Sequence, residues 1–441
     1  MTIQEYITEF HDGNPTWFLD EVGQVYHQQR IMNILDTKEY LSGTHKILKR
    51  PNETYNGKTY EPRKIVLQYC KTILNFQTSY LLQNPVTLTG DKGIIEEYKR
   101  IYKKGKYDRI DFDILDKVVK YGSAYEYVYV DAGVIKSKLI NPEDGYPVYN
   151  HANEMIAFIE SYTVDSISYY TVYYEDRVEN WTDRGGELKQ VGVYGNASGL
   201  PVVYKNRNEL DPNYGRSDLE DIINILDNME DLLSKFTDSF YKFHNPIPVA
   251  IGQQLKGEGL PTHIVGGGIV LDDGADFKLV GNQLDFRSFE TIYNMLKQAL
   301  LDISNTPAVS LNSQDVSNLS EVSIKLLFSL ADIKAGLNEK YMREGMEQRF
   351  EKIRRILELQ GKKIDDEAFD SLGIVFQYSR PQNEKDIIDN LKVMKEIGGI
   401  SLESILEKSP FTSDVGQELQ RLRADNGQGN EQIEDKVTEI E

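Results

Sequence analysis

Between Ser217 and Gln360 a helical apolar period runs for three long stretches and is broken only twice. That rules out a small single-layer fold and demands neighbours able to cover long helices. The first stretch opens on a capping box, because Ser217 and Glu220 have the Ser-x-x-Glu spacing that satisfies orphan amides at a helix start. Leu219, Ile222, Ile223, Leu226, Met229, Leu233, Phe236 and Phe240 form its apolar stripe, and Asp221, Asp227, Asp231, Lys235 and Asp238 its opposite face. Running to His244, it should be ~40 Å long at ~1.5 Å per residue. Phe289, Ile292, Leu296, Leu300 and Ile303 mark a second helix over Phe286 to Ile303. The third, Glu321 to Gln360, carries Ile324, Leu327, Ala331, Tyr341 and Phe350, should be ~60 Å long and ends at Gly361. Arg349, Lys352, Arg354 and Arg355 in its last turns suit the negative end of the helix dipole.

The two breaks differ in kind. Asn245-Pro246-Ile247-Pro248 ends the first helix, and 246–285 then holds short apolar runs (Val249-Ala250-Ile251, Ile269-Val270-Leu271, Lys278-Leu279-Val280) between glycines, which predicts a few strands completed by neighbouring chains. Ser304 to Ser320 is a loop. Its Pro307 donates no amide proton, its short Ser and Asn side chains compete with the backbone, and Asp315 is its one charge. A loop of this length between helices is more often functional than idle.

Upstream, residues 3–50 read as short amphipathic helices, and Arg63 to Leu82 as a helix with Ile65, Tyr69, Ile73, Phe76 and Tyr80 on one side, stopped by Asn84-Pro85. Ile94 to Tyr107 is helical and carries Lys99, Arg100, Lys103, Lys104 and Lys106, a cluster able to touch nucleic acid but read first as a solvated helix end offset by Asp108, Asp111 and Asp113. From Tyr121 the period becomes two: Tyr125, Tyr127 and Tyr129 alternate with other residues, and 121–207 is β-rich, with Asn141 to Pro147 a turn inside it. Gly373 to Tyr378 alternates like a strand that must pair back with an earlier domain. Glu384 to Ile397 and Leu402 to Ala424 are helical, and the acidic 425–441 reads as disordered.

The formal charge of −20 argues against a sequence-specific DNA reader but not against a surface that DNA slides past. The 28 tyrosines suit strands and subunit interfaces. Cys70, the single cysteine, reads as a small buried residue. With neither a signal-peptide pattern nor a membrane-length apolar run, the chain reads as soluble and intracellular. The six histidines lack metal-ligand spacing. Gly266-Gly267-Gly268 lacks the Lys-Ser/Thr and helix start of a phosphate cradle, and Asp272-Asp273-Gly274-Ala275-Asp276 lacks the spacing of a calcium loop. The residues alone favour an assembly component, with no cofactor, and leave open an enzyme acting on nucleic acid or nucleotide through Asp272 to Asp276.

Taken in order, several stretches resemble the portal proteins of tailed double-stranded DNA bacteriophages, of the type found in siphophages of Gram-positive hosts. Tyr40-Leu41-Ser42-Gly43-Thr44-His45 is similar to the family's aromatic-x-x-Gly-x-His motif, and Tyr80-Leu81-Leu82-Gln83-Asn84-Pro85-Val86 to the element closing its next helix. Tyr121 to Glu126 resembles the opening of the β-rich wing, Asn213 to Glu220 the entry into the first stem helix, and Ile303 to Pro307 the start of the tunnel loop. Unlike the glycine-rich loops of many relatives, this loop has no glycine and ends Asn318-Leu319-Ser320-Glu321.

The resemblance implies an α+β portal fold: a wing over 1–216, stem helices over 217–244 and 286–303, a small α/β clip over 245–285, a tunnel loop over 304–320, a long wing helix over 321–360, a return strand over 361–383, a helical crown over 384–424 and an acidic tail over 425–441. It implies a dodecameric ring at one capsid vertex, not an enzyme, through which a terminase motor drives double-stranded DNA without reading its sequence. The implied partners are the terminase large subunit, a head-to-tail adaptor, and the major capsid and scaffolding proteins, with no membrane. The implied location is the virion, and the host cytoplasm during assembly. Carried over by position, Asn312, Gln314, Asp315 and Asn318 belong to the channel loop, and Gln253, Lys256, Glu258, Asp272 and Asp273 to the surface that docks motor and adaptor. The alternatives are another structural component of the phage head, such as an adaptor or scaffold-associated protein, and the metal-dependent enzyme above.

Overall fold

A computed structural model describes residues 1–441 apart from 56, 244–246, 252–273, 275, 281–284, 309–320, 382–383, 410, 413–414, 416–417, 420 and 423–441. It divides into two units, Met1–Thr306 with Ile333–Ser379, and Pro307–Asp332 with Arg380–Glu441.

The first unit begins with helices α1 (Ile3–Phe10), α2 (Trp17–Val22) and α3 (Val25–Ser42). A short hairpin of β1 (Glu53–Tyr55) and β2 (Lys58–Tyr60), invisible to the apolar period, follows. Helix α4 spans only Tyr69–Leu82. The expected start at Arg63 is wrong because 63–67 is extended, its amides held by side chains of a later helix, as described below. Next come β3 (Thr87–Thr89), α5 (Lys92–Gly105) and α6 (Tyr107–Tyr121), the last two separated by Lys106 in a left-handed conformation at φ 58°.

From Ser123 the alternating stretch forms two antiparallel sheets. The strands are β4 (Ser123–Asp131), β5 (Val134–Ile140), β6 (Gly145–Tyr149), β7 (Met155–Val164), β8 (Ile167–Tyr173), β9 (Arg177–Thr182), β10 (Lys189–Gly195) and β11 (Val202–Lys205). Their orders are β10-β9-β8-β7-β6 and β11-β4-β5. The expected turn over Asn141 to Pro147 is confined to Asn141–Asp144, since Gly145, Tyr146 and Pro147 pair with β7. Tyr125 and Ile140 of the smaller sheet meet Phe158, Tyr173 and Val178 of the larger in one core. The other face of the larger sheet is covered by Ile7, Trp17 and Phe18, with Trp17 Nε1 donating to Tyr174 Oη at 3.1 Å. A fully buried ring such as Phe18 contributes ~2–3 kcal/mol.

Helix α7 (Ile223–Phe243), β12 (Ile247–Ile251), β13 (Asp276–Val280) and α8 (Phe286–Ile303) follow, with β12 and β13 paired antiparallel. The Ser217–Glu220 capping box is present, on a 3-10 turn ahead of α7. The expected single helix over Glu321 to Gln360 is two, α9 (Glu321–Leu327) and α10 (Ser329–Leu359), interrupted at Phe328, where the Ser329 hydroxyl turns back to the Leu326 carbonyl. Short helix α11 (Asp366–Asp370) precedes β14 (Gly373–Val375), which pairs back on β3 as the alternation predicts, although only these residues of Gly373 to Tyr378 are strand.

In the second unit, α12 (Glu384–Glu396) is joined by Gly398 at φ 68° to α13 (Leu402–Lys408), and Arg380 pairs with Asp332 at 3.1 Å. The helix expected over Leu402 to Ala424 is interrupted after Lys408, where Ser409 precedes Pro410 and is extended at ψ 128°, and Val415, Glu418, Leu419, Arg421 and Leu422 are helical again. Among the described residues, no helix is long and apolar enough to cross a membrane.

Candidate functional site: the framework around the paired helices

Helices α7 and α8 pack against each other antiparallel, the end of one beside the start of the next. Phe236 stacks on Phe289 with ring centroids 3.8 Å apart, and the Phe240 and Phe286 rings meet edge-on at 6.3 Å. Hairpin β12–β13 joins them at that end. At the far end, Gln77 Nε2 donates to the Ser304 carbonyl at 3.1 Å, Asn305 turns left-handed at φ 53°, and the Thr306 amide returns to Leu301 at 2.9 Å. The Ile303–Pro307 stretch therefore leaves α8 from a fixed point.

The other side of α7 is a ladder of acceptors. Glu230 Oε1 accepts from the Leu67 amide at 2.7 Å, Ser234 Oγ from Ile65 at 3.0 Å and Asp238 Oδ1 from Arg63 at 2.9 Å. The register follows from geometry: four helical residues rise ~6 Å and two extended residues ~6.6 Å, so rungs spaced by four match amides spaced by two. All three rungs are buried. Asp238 also accepts from Arg50 Nη1 and the Tyr60 hydroxyl, both at 3.2 Å. The period expected Asp238 on the helix's polar face; it is instead a buried hub.

The Tyr40-x-x-Gly43-x-His45 motif caps this ladder. Gly43, at φ 107°, ends α3 and reverses the chain, and a side chain there would meet Gln68 Nε2 at 2.8 Å. His45 thereby returns to stack on Tyr40, centroids 3.8 Å apart, and places Nδ1 2.6 Å from Glu230 Oε1. Tyr40 Oη reaches Asp227 at 3.2 Å. Burial pushes the Glu230 carboxyl up from its ordinary value, against the lowering effect of the Leu67 amide and His45.

Two further motif stretches, distant in sequence, meet at the foot of α7. A Cβ on Gly215 would lie 1.8 Å from the Gly122 carbonyl oxygen, so the Tyr121–Glu126 and Asn213–Glu220 segments cross backbone on backbone. The Gly215 amide donates to Ser123 Oγ at 3.1 Å, and Ser217 Oγ donates to the Lys120 carbonyl at 2.6 Å. Lys334 of α10 pairs with Asp218 at 2.8 Å, tying the long helix to the same point.

A third cluster centres on Arg349, fully buried in α10. Its Nε lies 2.9 Å from Glu126 Oε2, and Nη1 lies 2.5 Å from Asp111 Oδ1 and 3.1 Å from Tyr102 Oη. Tyr204 Oη donates to Glu126 at 2.7 Å, and the guanidinium sits 4.9 Å from the Tyr107 ring centroid. Two carboxylates thus share one cation, and burial pushes the Asp111 carboxyl up to about 6 despite Arg349 beside it. Arg349 was expected to serve the helix dipole and Asp111 to offset the α5 lysines; both are core residues. A signal was present: Arg349 occupies the apolar register of Met342, Met346, Ile353 and Ile356. Glu230, Ser234 and Asp238 likewise repeat every four residues beside the apolar stripe of α7. Cys70 is buried, in agreement with its reading.

These polar clusters hold elements together; among the described residues no group of three or more metal-ligating side chains assembles. Asn312, Gln314, Asp315 and Asn318, and Gln253, Lys256, Glu258, Asp272 and Asp273, all lie outside the described residues, as do Gly266 to Gly268.

The family model described as phage portal protein, SPP1 Gp6-like, matches residues 25–432. The portal protein of Bacillus phage SPP1 is 25% identical over 396 residues, covering 81% of this chain and 75% of that protein. Among solved structures, the virion of a native gene transfer agent particle contains a chain similar to this one with TM-score 0.42 and 12% identity, over 76% of this chain and 86% of that one. The neck of the native particle, computed with C12 symmetry, gives TM-score 0.44 and 12% identity over 77% and 86%. The family match takes in α7, α8, the ladder, the glycine crossing and the Arg349 cluster. The chain belongs to the phage portal proteins, SPP1 Gp6-like, a family of structural head-to-tail connectors of the virion and not of enzymes.

Proposed function

We propose that this protein forms a ring-shaped channel at one capsid vertex, through which a terminase motor packages double-stranded DNA, in which DNA is retained until ejection, and to which head-to-tail adaptors attach. The observation that carries this reading is the antiparallel pair α7–α8, with the paired strands β12 and β13 at one end and Ser304 held by Gln77 at the other, in a chain of the portal family. Here α7 and α8 are the stem and 245–285 is the clip, with Gln253, Lys256, Glu258, Asp272 and Asp273 on the surface that meets motor and adaptor. The loop over 304–320 lines the narrowest collar, with Asn312, Gln314, Asp315 and Asn318 towards the DNA.

The physical chemistry favours passage over capture. Short amide and hydroxyl side chains shift around a charged rod without gripping it. A chain of formal charge −20 releases few counterions from DNA, and at a Debye length of ~8 Å only wall charges near the phosphates act. Negative-stain images of the purified protein should show dodecameric rings; a monomer or dimer at every salt concentration would overturn the reading. Replacing Asn312 and Gln314 together by arginine should leave ring assembly intact and stall packaging in a terminase-driven assay. Unchanged packaging would remove this loop from the channel wall.

A further inference from the structure

Two exposed helix faces of the first unit carry opposite charge with no partner among the described residues. On α5 and its cap, Lys99, Lys103 and Lys106 follow Glu96; on α10, Glu344, Glu347 and Glu351 follow Lys340. All eight side chains are exposed, and among the described residues none has a hydrogen bond or ion pair, whereas neighbouring Arg100 and Lys362 are both neutralised by Glu97. The α5 row runs − + + + over ~15 Å and the α10 row + − − − over ~16 Å, at ~1.5 Å per residue. Aligned in the same direction, the rows oppose unlike charges at every position. Reversed, Glu96 meets Glu351 and Lys106 meets Lys340.

Within the chain the two rows form no ion pair with each other. Helix α5 turns Tyr98 and Tyr102 onto Phe350 of α10, with ring centroids 5.4 and 6.0 Å apart, and at ~3.6 residues per turn the charged rows lie about a quarter turn round each helix from that contact. A chain with complementary patches on two different surfaces makes head-to-tail contacts, the kind that close rings.

We propose that the Lys99–Lys103–Lys106 face of one copy docks in parallel on the Glu344–Glu347–Glu351 face of the next. This rests on the ring reading and adds the contact that selects orientation. Exposed ion pairs confer register and direction more than affinity, and salt screens them.

The test uses the full chain in three forms: Lys99→Glu with Lys103→Glu, Glu347→Lys with Glu351→Lys, and all four together. Ring yield is read by native mass spectrometry and negative stain at low and high salt, with circular dichroism confirming the fold. Each one-sided variant should weaken the subunit contact about tenfold at low salt, and the combined variant should restore it. If the wild type forms rings and the one-sided variants do so equally well, this contact is overturned and the ring stands. If the combined variant stays as poor as either parent, the faces do not meet and the pairing is overturned. A wild type that never forms rings overturns both. If Lys99→Glu with Lys103→Glu assembles normally but loses retention of duplex DNA on a filter, the lysine face is a nucleic-acid contact instead.

Discussion

The Arg349 cluster and the Glu230–Ser234–Asp238 ladder are both buried and both polar, yet the first binds side-chain charge to side-chain charge and the second binds side chains to bare backbone. At Arg349 one guanidinium meets Asp111 from α6 and Glu126 from β4, so several elements converge on a point. Each member depends on the others, because a buried charge left alone costs far more than the pair contributes. Along α7 the rungs act one at a time, each satisfying an amide that a segment without a sheet partner would otherwise bury unpaired. The cluster fixes a position; the ladder fixes a register along a line. A protein whose α7 belongs to a long helical pair needs both: one to hold the long helix to the sheets, the other to keep the chain from sliding along the pair.

The largest effect that would break this contrast is Arg349→Met. It strands Glu126 and Asp111 together in the core and should destabilise by ~3–5 kcal/mol in urea titration. A loss no larger than that of a single ladder rung would show the cluster to be divisible after all. Asp238→Ala removes the acceptor of the Arg63 amide and of Arg50 and should cost ~2–4 kcal/mol, with faster hydrogen exchange at Arg63 while Leu67 stays protected. Exchange rising equally at Leu67 would mean the rungs act as a unit.

The charged cluster also predicts a pH dependence. The Asp111 carboxyl, raised from 3.8 to about 6, keeps a proton in the folded chain that the unfolded chain has released. Its stabilising contribution is therefore complete below the lower value and lost as pH rises through the upper one. Asp111→Asn should flatten that part of the melting-temperature profile, and an unchanged slope would place the proton elsewhere. Smallest of all, Ser234→Ala should cost ~1–2 kcal/mol by chemical denaturation, leaving only the Ile65 amide unpaired.

Much of the scaffold was legible from residue order. The switch from a helical period to alternation near Tyr121, the Ser217–Glu220 cap, the bounds of α8 at Phe286 and Ile303, and the return of the Gly373 strand to an earlier element all follow from local spacing. The errors share a cause. Residues 63–67 have helical apolar spacing but are extended, since Glu230, Ser234 and Asp238, more than 160 positions away in sequence, take their amides. Arg349 and Asp111 look like surface charges until the fold places them within 2.5 Å of each other.

Periodicity, caps and prolines act between residues a few positions apart, so the sequence by itself determined where helices and strands form and, through the order of its motifs, the family. Whether a polar side chain faces water or becomes a rung, hub or buried ion depends on what arrives opposite it. That is a long-range property, and here only the tertiary structure decided it: His45 on Glu230, Gly122 against Gly215, and Arg349 between two carboxylates.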